Sequence, residues 1–557
     1  MLVNLAAIQE LIAAAIADRD AIVWRGNVLS HGDLARRSRQ IAHGLLRAGI
    51  GCHTERAALE PWESGQDHVA LYLYNGHEFV ESMYGAYKAR AVPINVNYRY
   101  VEEELRYLLE NSRAKAIVYH GAFAARLAAV RGELPDLRQL IQVRDDSGAP
   151  LLDGAVDYDE WVRAQSTAPL SLPYSPDDLY ILFTGGTTGM PKGVLWRQED
   201  VFYNGLGGHI PGFDRLETEA QLREHIDRGL GGRFLVCLPF MHGAGWWTTF
   251  NTFHRGGTIV LPDETRRLDA DSVWRAVERE RCDQITMAGD AIARPLLEGL
   301  RGGRYDASTI RVLMSTAAVL SPAVKAELAA FLSDGTLFIE SIGGSEMGLQ
   351  AMSYDTTSDR PGLPAYDLRP GTVVLRADRA GVLDPATARP GEQGDIGWIA
   401  SAGHLPLGYL GDPERTKATF PVIGGVRYVV GGDRACFGPH GRMLFLGRES
   451  SCINSGGEKI YAEEVERVVK SHPAVYDAVV VGLASERWGQ QVTAVISLAA
   501  GKKAPTVEEL AAHCESQIAR YKLPRAVVVA PEIVRSPSGK PDYAWAREYA
   551  EPRVVTA

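Results

Sequence analysis

Beyond about residue 70 the chain alternates between two hydrophobic periods. Residues 70–73 form a continuous apolar run. Over 76–89, Phe79, Val80, Met83, Tyr84 and Tyr87 recur at helical spacing on one broad face. Residues 91–96 are apolar again, 101–111 helical, and 114–119 apolar. Short apolar strands joined by crossover helices predict βαβ units and a parallel sheet. The pattern resumes with strands predicted at 234–238, 258–261, 284–287, 311–314 and 337–341. A helix opens at Ser321-Pro322, a good N-cap and first-turn pair. From about 371 to 430 the texture changes to short strands and turns rich in Gly and Pro. Past Gly447-Arg448 the pattern is mixed: helix 462–470, strands 478–481 and 492–498, helix 507–521. The fold class is therefore α/β: a large N-terminal domain of parallel α/β sheets (1–448) with a small β subdomain (about 371–447), then a small α+β C-terminal domain (449–557).

Between two of these strands lies a segment that suits neither period. Residues 183–193 read FTGGTTGMPKG, directly after the apolar run 179–183. Glycines let the backbone approach a ligand closely and let successive peptide N–H groups turn toward an anion. Thr184, Thr187 and Thr188 add hydroxyls, Lys192 adds a mobile positive charge, and Gly185, Gly186 and Gly189 keep the path thin. The composition is that of a phosphate grip, although a plain surface loop can share it. It is not a Walker A loop, which ends in Gly-Lys-Ser/Thr; here Pro191 precedes Lys192 and Gly193 follows.

In open α/β sheets ligands bind beyond the carboxyl ends of the strands. Several unusual segments fall there: 183–193, 241–245, 288–291, 315–320 and 342–348, all expected as loops. The last reads IGGSEMG, so Ile342, Gly343 and Gly344 lead to a hydroxyl on Ser345 and a carboxylate on Glu346. A carboxylate beside a phosphate grip calls for a cation between them. Mg2+ suits this role, since it takes one or two carboxylates plus substrate phosphates. A helix N-terminus with an acidic first turn would look the same.

Composition narrows the classes without choosing among them. A chain of 557 residues exceeds one typical core, so at least two domains are expected. The net charge of −10 argues against nucleic-acid binding. It also means that local donors, not the overall field, must hold a polyanionic substrate. Six cysteines occur singly with no CxxC pair, which indicates neither a zinc site nor a disulfide scaffold. Glu10 and Asp18 interrupt the N-terminal apolar pattern, which reads as an amphipathic helix rather than a signal peptide. No uncharged apolar run is long enough to span a bilayer. A cytoplasmic protein is expected; a peripheral membrane contact and a homodimer stay open.

The 183–193 segment resembles the signature loop of the adenylate-forming enzymes: acyl-CoA synthetases, peptide-synthetase adenylation domains and luciferases. Its usual second position is Ser, where this chain has Gly185. The resemblance runs from about residue 20 to 545, with the motifs in family order. It implies ATP, magnesium and coenzyme A as the reaction's small molecules, and a mobile C-terminal domain. It also implies roles for single residues. Thr184 to Gly189, with Thr188, and Lys192 grip phosphate. Ser345 contacts the α-phosphate region and Glu346 holds Mg2+. Ile342 stands where the family places an aromatic on adenine, and Ala317 and Ala318 line the adenine pocket. Asp433, in a Gly-Gly-Asp run, takes both ribose hydroxyls, as a carboxylate does well. Arg448 also reaches the ribose, and Ser450 occupies the hinge. Lys540, in SPSGK, bridges the attacking carboxylate and the α-phosphate. Gly456, Gly457, Glu458 and Lys459 line the pantetheine path. His242 lies near the substrate carboxylate.

Gly243, Gly245 and Trp246 follow His242, small residues then large aromatics, which suits an apolar acyl pocket; Asp290 is a second pocket wall. Residues 241–247 contain no Asp to pair with a substrate ammonium, and a buried unpaired ammonium is costly. An acid without an α-amine is therefore expected. The resemblance implies an AMP-forming acyl-CoA synthetase acting on a fatty acid or a bulky steroid-type acid, close in wording to actinobacterial lipid- and steroid-degrading synthetases. Two other readings stay open. One is a fatty-acyl-AMP ligase that loads a carrier protein; the other is a non-catalytic nucleotide- or lipid-binding relative.

Overall fold

Burial follows the apolar runs. The structure, a computed structural model, describes residues 1–554 except 185–189, 211–212, 358–364, 377–387, 389, 393, 439–440, 456–457, 486, 516 and 537–538. The chain forms two compact units. One comprises Met1–Thr286, Gly344–Leu349 and Gly403–Phe420; the other comprises Met287–Gly343, Gln350–Ala402 and Pro421–Ala557.

In the first unit, β1 (His68–Tyr72), β2 (Val92–Asn95), β3 (Ala116–His120) and β4 (Gln139–Val143) form a parallel sheet in the order β2-β1-β3-β4. Every residue of β1, β2 and β3 is buried, so apart from His68, Asn95 and His120 at their ends these strands read as apolar runs, as a two-sided parallel sheet favours. Helix α1 (His77–Lys88) crosses between β1 and β2 and buries ten of its twelve residues. Strands β5 (Leu179–Thr184) and β6 (Lys192–Arg197) pair antiparallel, and the short strand Gly408–Tyr409 adds to β6. A second parallel group holds β7 (Arg233–Val236), β8 (Thr258–Val260) and β9 (Gln284–Met287), with α2 (Gly243–Phe253) between β7 and β8.

The second unit opens with α3 (Gly289–Arg301). Strand β10 (Val312–Thr316), helix α4 (Pro322–Ala329) and strand β11 (Leu337–Gly344) then form a parallel βαβ unit, with β12 (Gly348–Thr356) beside β11. An antiparallel sheet follows: β13 (Thr372–Arg376), β14 (Ile396–Ala402), β15 (Val426–Phe437) and β16 (Met443–Arg448). The C-terminal part is α+β. It contains β17 (Cys452–Ser455), β18 (Glu458–Tyr461), α5 (Ala462–Lys470), β19 (Val475–Ser485), β20 (Gly489–Leu498), α6 (Val507–Glu515), β21 (Ala526–Val529) and α7 (Tyr543–Ala550). The valines of α5 face Val480, Val492, Ala494 and Ile496 in one cluster.

Four local expectations change. Residues 243–245 open α2 and residues 289–291 open α3, so neither segment is a loop. Helical backbone starts immediately after the strand exit in both places, and no proline or side-chain cap marks the start. Residues 342–344 end β11, and 345–347 are a hairpin turn into β12, not a helix N-terminus. The predicted helix 507–521 stops at Glu515, with a 3-10 turn at Arg520–Lys522. Its apolar spacing continues past that point as Ile518 and Leu523, which pack on the same cluster from irregular backbone.

Candidate functional site

In the first unit the glycine-rich segment joins two paired strands. Thr184 and Lys192 face each other at the open end of β5–β6, with Phe183 opposite Gly193. Gly185, Gly186, Thr187, Thr188 and Gly189 lie outside the described residues. Buried Asn95, at the end of β2, fixes the root of this loop. Its amide NH₂ donates to the carbonyls of Phe183 (2.9 Å) and Met241 (2.6 Å), and its oxygen accepts from the Phe183 N–H (2.8 Å). One side chain thus ties β5 to the residue before His242. A polar residue inside an apolar strand run was the sequence signal for Asn95.

The turn after β11 is anchored to the same pair of strands. The Trp196 indole N–H, on β6, donates to the Ser345 carbonyl at 2.9 Å. Asn204 accepts from the Leu349 N–H at 2.7 Å. The carboxylate of Glu346 accepts from the Tyr409 hydroxyl at 3.1 Å, and Tyr409 sits opposite Val194 of β6. Burial and the Glu346 charge both push the Tyr409 phenol up, so it stays a donor. Glu346 is half-buried. It offers hard oxygen, the donor type that magnesium takes. Among the described residues no group of three His, Cys, Asp or Glu could hold a metal.

His242 is the N-cap residue of α2, and Gly243 starts the helix. A Cβ placed on Gly243 would lie 4.0 Å from the Ser345 hydroxyl and 4.0 Å from the Trp247 indole nitrogen. The first turn of α2 therefore adjoins the Ser345 turn. Gly245 and Trp246 are buried. Trp246 packs edge-on against Phe79 (5.6 Å between ring centres) and tilted against Tyr180 (5.5 Å), so it belongs to the core. Trp247 is half-buried and donates its indole N–H to the Tyr180 hydroxyl at 2.6 Å.

In the second unit Asp433 on β15 stands opposite Arg448 on β16. The Arg448 Nε donates to its carboxylate at 3.2 Å. Asp433 is 3% exposed. Burial raises its pKa above the ordinary carboxylate range, against the pull of Arg448 and of Lys540. Lys540 is exposed, and its charge bears on Asp433. The turn carrying Lys540 is held from both sides. The Ser536 N–H donates to the Lys540 carbonyl (2.8 Å), and Arg535 donates to the Gly539 carbonyl (2.9 Å) while gripping Asp477. Gly539 has φ +78°, and a Cβ there would lie 3.0 Å from the Ala288 carbonyl oxygen and 3.4 Å from the Ala291 methyl. The start of α3 is thus the seat of the lysine turn, which sequence spacing did not indicate.

Asp290 serves the same seat. It is 2% exposed, accepts from the Ser321 N–H at 2.7 Å and pairs with Arg294 one turn on. Ala317 takes a left-handed backbone (φ +66°), uncommon for a residue with a side chain, and Ala318 closes the tight turn onto the Thr316 carbonyl. Ile342 packs with the apolar cluster around Tyr366 and Ile399, and Gly343 beside it is exposed. Ser450 lies within a 3-10 turn, Glu449–Ser451. Gly456 and Gly457 lie outside the described residues; Glu458 and Lys459 start β18, and Lys459 pairs with Glu449.

Residues 10–410 match the family described as AMP-binding enzyme, and 464–540 match the AMP-binding enzyme C-terminal domain. The chain belongs to the AMP-binding enzyme family. It is 46% identical to the medium-chain acyl-CoA ligase Mig of Mycobacterium avium, covering 98% of each chain. It is 37% identical to the 3-oxocholest-4-en-26-oate–CoA ligase of Rhodococcus rhodochrous, covering 98% of this chain and 96% of that one. Its fold matches the anthranilate CoA ligase AuaEII solved with anthranoyl-AMP, with a TM-score of 0.82 at 21% identity over 99% and 98% of the two chains. It also matches ATP-bound MatB from Rhodopseudomonas palustris, with a TM-score of 0.77 at 21% identity over 99% of each. These family members share the α/β architecture read from the hydrophobic pattern.

Proposed function

We propose that this chain activates a hydrophobic carboxylic acid with MgATP to give an acyl-adenylate and pyrophosphate, then passes the acyl group to the thiol of coenzyme A and releases AMP. The class of reaction, an AMP-forming acid–thiol ligase, comes with the family and with relatives named as acyl-CoA ligases along their whole length. The observation that carries the reading onto this chain is the tie between the Glu346 turn and β6, the strand that follows the glycine-rich loop. In this reading Thr184 to Gly189 and Lys192 hold phosphate, with Thr188 and Ser345 as hydroxyl donors, and Glu346 holds Mg2+. Asp433 and Arg448 take the ribose; Ala317, Ala318, Ile342, Gly343 and Gly344 frame the base and α-phosphate. Lys540 supports the negative charge that grows on phosphorus, the preorganised kind of stabilisation that dominates such steps. His242 meets the acid's carboxylate, and the acyl chain runs past Gly243. Residues 449–557 move as a domain about Ser450, bringing Gly456 to Lys459 to the pantetheine. The enzyme is proposed to work in the cytoplasm; among the described residues no helix is long and apolar enough to cross a membrane.

The acid lacks an α-amine: Asp290, a carboxylate from the proposed pocket wall, is already engaged by the Ser321 N–H and Arg294. Fatty acids and bulky steroid-type acids are the proposed substrates. The deciding experiment measures AMP release with ATP, CoA and a panel of medium-chain, long-chain and steroid side-chain acids. AMP and acyl-CoA formed in equal amounts with at least one of them is the expected result. Adenylate formed without CoA consumption would replace this reading with a carrier-loading ligase. No ATP turnover with any acid would leave a non-catalytic binder.

A further inference from the structure

Helix α3 carries three charged side chains at a spacing of four, Asp290, Arg294 and Glu298. Side chains four apart share one helix face, and each of these three acts on a different point of the C-terminal part. Arg294 is central. Its guanidinium stands over the Tyr476 ring, 5.5 Å from the ring centre, which is within cation–π range. One of its nitrogens lies 3.5 Å from the Lys470 carbonyl oxygen and 3.4 Å from the Asp290 carboxylate. The Tyr476 hydroxyl donates to Glu298. The Asp290 charge also acts on Arg535. The end of α5 and the start of β19 thus sit on α3. From there the contacts run to the lysine turn. Asp477, next to Tyr476, is buried and accepts from Arg535 at 2.7 and 2.8 Å, and the Lys470 ammonium is 3.5 Å from the same carboxylate. Arg535 in turn donates to the Gly539 carbonyl at 2.9 Å. Every link from Arg294 to the residue before Lys540 is a side-chain contact or a peptide bond. With the turn held in this way, the Lys540 charge bears on Asp433.

We propose that Arg294 is a positioning residue for adenylate formation: with Tyr476 as its counterpart it docks residues 470–477 on α3, so setting where Lys540 stands in the first step, and this dock opens for the second. The inference rests on the two-step reading above, in which Lys540 serves the first step. Arg294 touches none of the residues assigned to ATP or the acid; its effect passes through Tyr476, Asp477 and Arg535. The contacts suit a dock that must release. Arg294 and Tyr476 are half-buried and Glu298 is exposed, so water can take over from each lost partner. Asp290, the one buried charge of the three, keeps its partners on opening, because Arg294 belongs to the same helix and the Ser321 N–H to the next. No carboxylate is therefore left buried and unpaired, which would be the costly outcome.

The test measures pyrophosphate exchange and thioester formation from supplied acyl-adenylate separately, in the full chain. Arg294→Ala should slow pyrophosphate exchange about tenfold, the scale of one cation–π contact and one ion pair together, and leave thioester formation within about twofold of wild type. Arg294→Lys keeps a cation for the ring and for Asp290 and should recover most of the exchange. Tyr476→Leu, which leaves Asp290 paired, should show the same one-sided loss. Adding it to Arg294→Ala should cost little more, since both act on one contact. Equal loss of the two half-reactions in Tyr476→Leu would overturn the proposal, as would additive losses in the double variant. Should Arg294→Ala melt early, the Tyr476→Leu ratio decides. Amide hydrogen exchange over residues 470–477 needs no turnover and should quicken in Tyr476→Leu; unchanged rates there would also overturn the dock. Absence of any wild-type pyrophosphate exchange would instead count against the two-step reading, with hydrogen exchange still deciding whether α3 holds this segment.

Discussion

Two charges of opposite sign, far apart in sequence, share one place in the second unit: buried Asp433 and exposed Lys540. In the proposed reading the Lys540 ammonium is the charge that meets phosphate during adenylation. Lys540→Ala should lower pyrophosphate exchange by on the order of 10²–10³, the scale for loss of one preorganised donor. Thioester formation from supplied acyl-adenylate should stay within a few-fold of wild type. Equal loss of both would remove the role given to Lys540. Tyr409 tests the proposed metal site in the same way. Its hydroxyl occupies one oxygen of Glu346, so Tyr409→Phe should alter the magnesium concentration needed for half-maximal exchange while leaving the KM for the acid unchanged. An unchanged magnesium titration would show that the bond is only structural.

At the scale of elements, the start of α3 does more than cap a helix. It receives Gly539 at van der Waals distance and braces α4 through Asp290. Gly539→Ala puts a side chain on left-handed backbone, a strained conformation for a non-glycine residue, and presses it onto Ala288. The turn should shift and adenylation fall, with thioester formation spared and thermal melting nearly unchanged. A variant with full exchange activity would mean that the seat does not position Lys540. The strands and most crossover helices were legible in the sequence because burial on both faces leaves an apolar run such as 69–72 or 92–94. The Gly-Ala-Gly and Gly-Asp-Ala starts of α2 and α3 were not, because Gly and Asp are poor helix formers and such small or polar residues carry no apolar period. Glu346 and Lys540 could be named from their motifs. Tyr409 could not, because its partner Glu346 comes from a distant sequence position and no local spacing marks it, while Asn95 is marked only as a polar residue inside an apolar strand run.

For the molecule as a whole, pH acts through buried charge clusters. His77 bonds Glu81 at 3.0 Å and lies 3.3 Å from Glu78, while Arg37 and Tyr158 complete the Glu81 shell. Burial pulls the His77 pKa down, but the Glu81 hydrogen bond and the Glu78 charge outweigh that and lift it from 6.5 to about 9. A pKa raised on folding adds stability that is complete below the unfolded value and lost as pH rises through the folded one. The melting temperature should therefore decline between pH 6.5 and about 9, and His77→Gln should flatten part of that decline. An unchanged slope would assign the effect elsewhere.

Asn95 sets a different limit. Because one amide fastens both the strand entering the glycine-rich loop and the residue before His242, the two segments cannot be redesigned independently. Laboratory evolution toward a wider acid range that displaces Met241 should weaken ATP affinity as a side effect, and compensating changes should collect around residues 92–95 rather than inside the widened pocket.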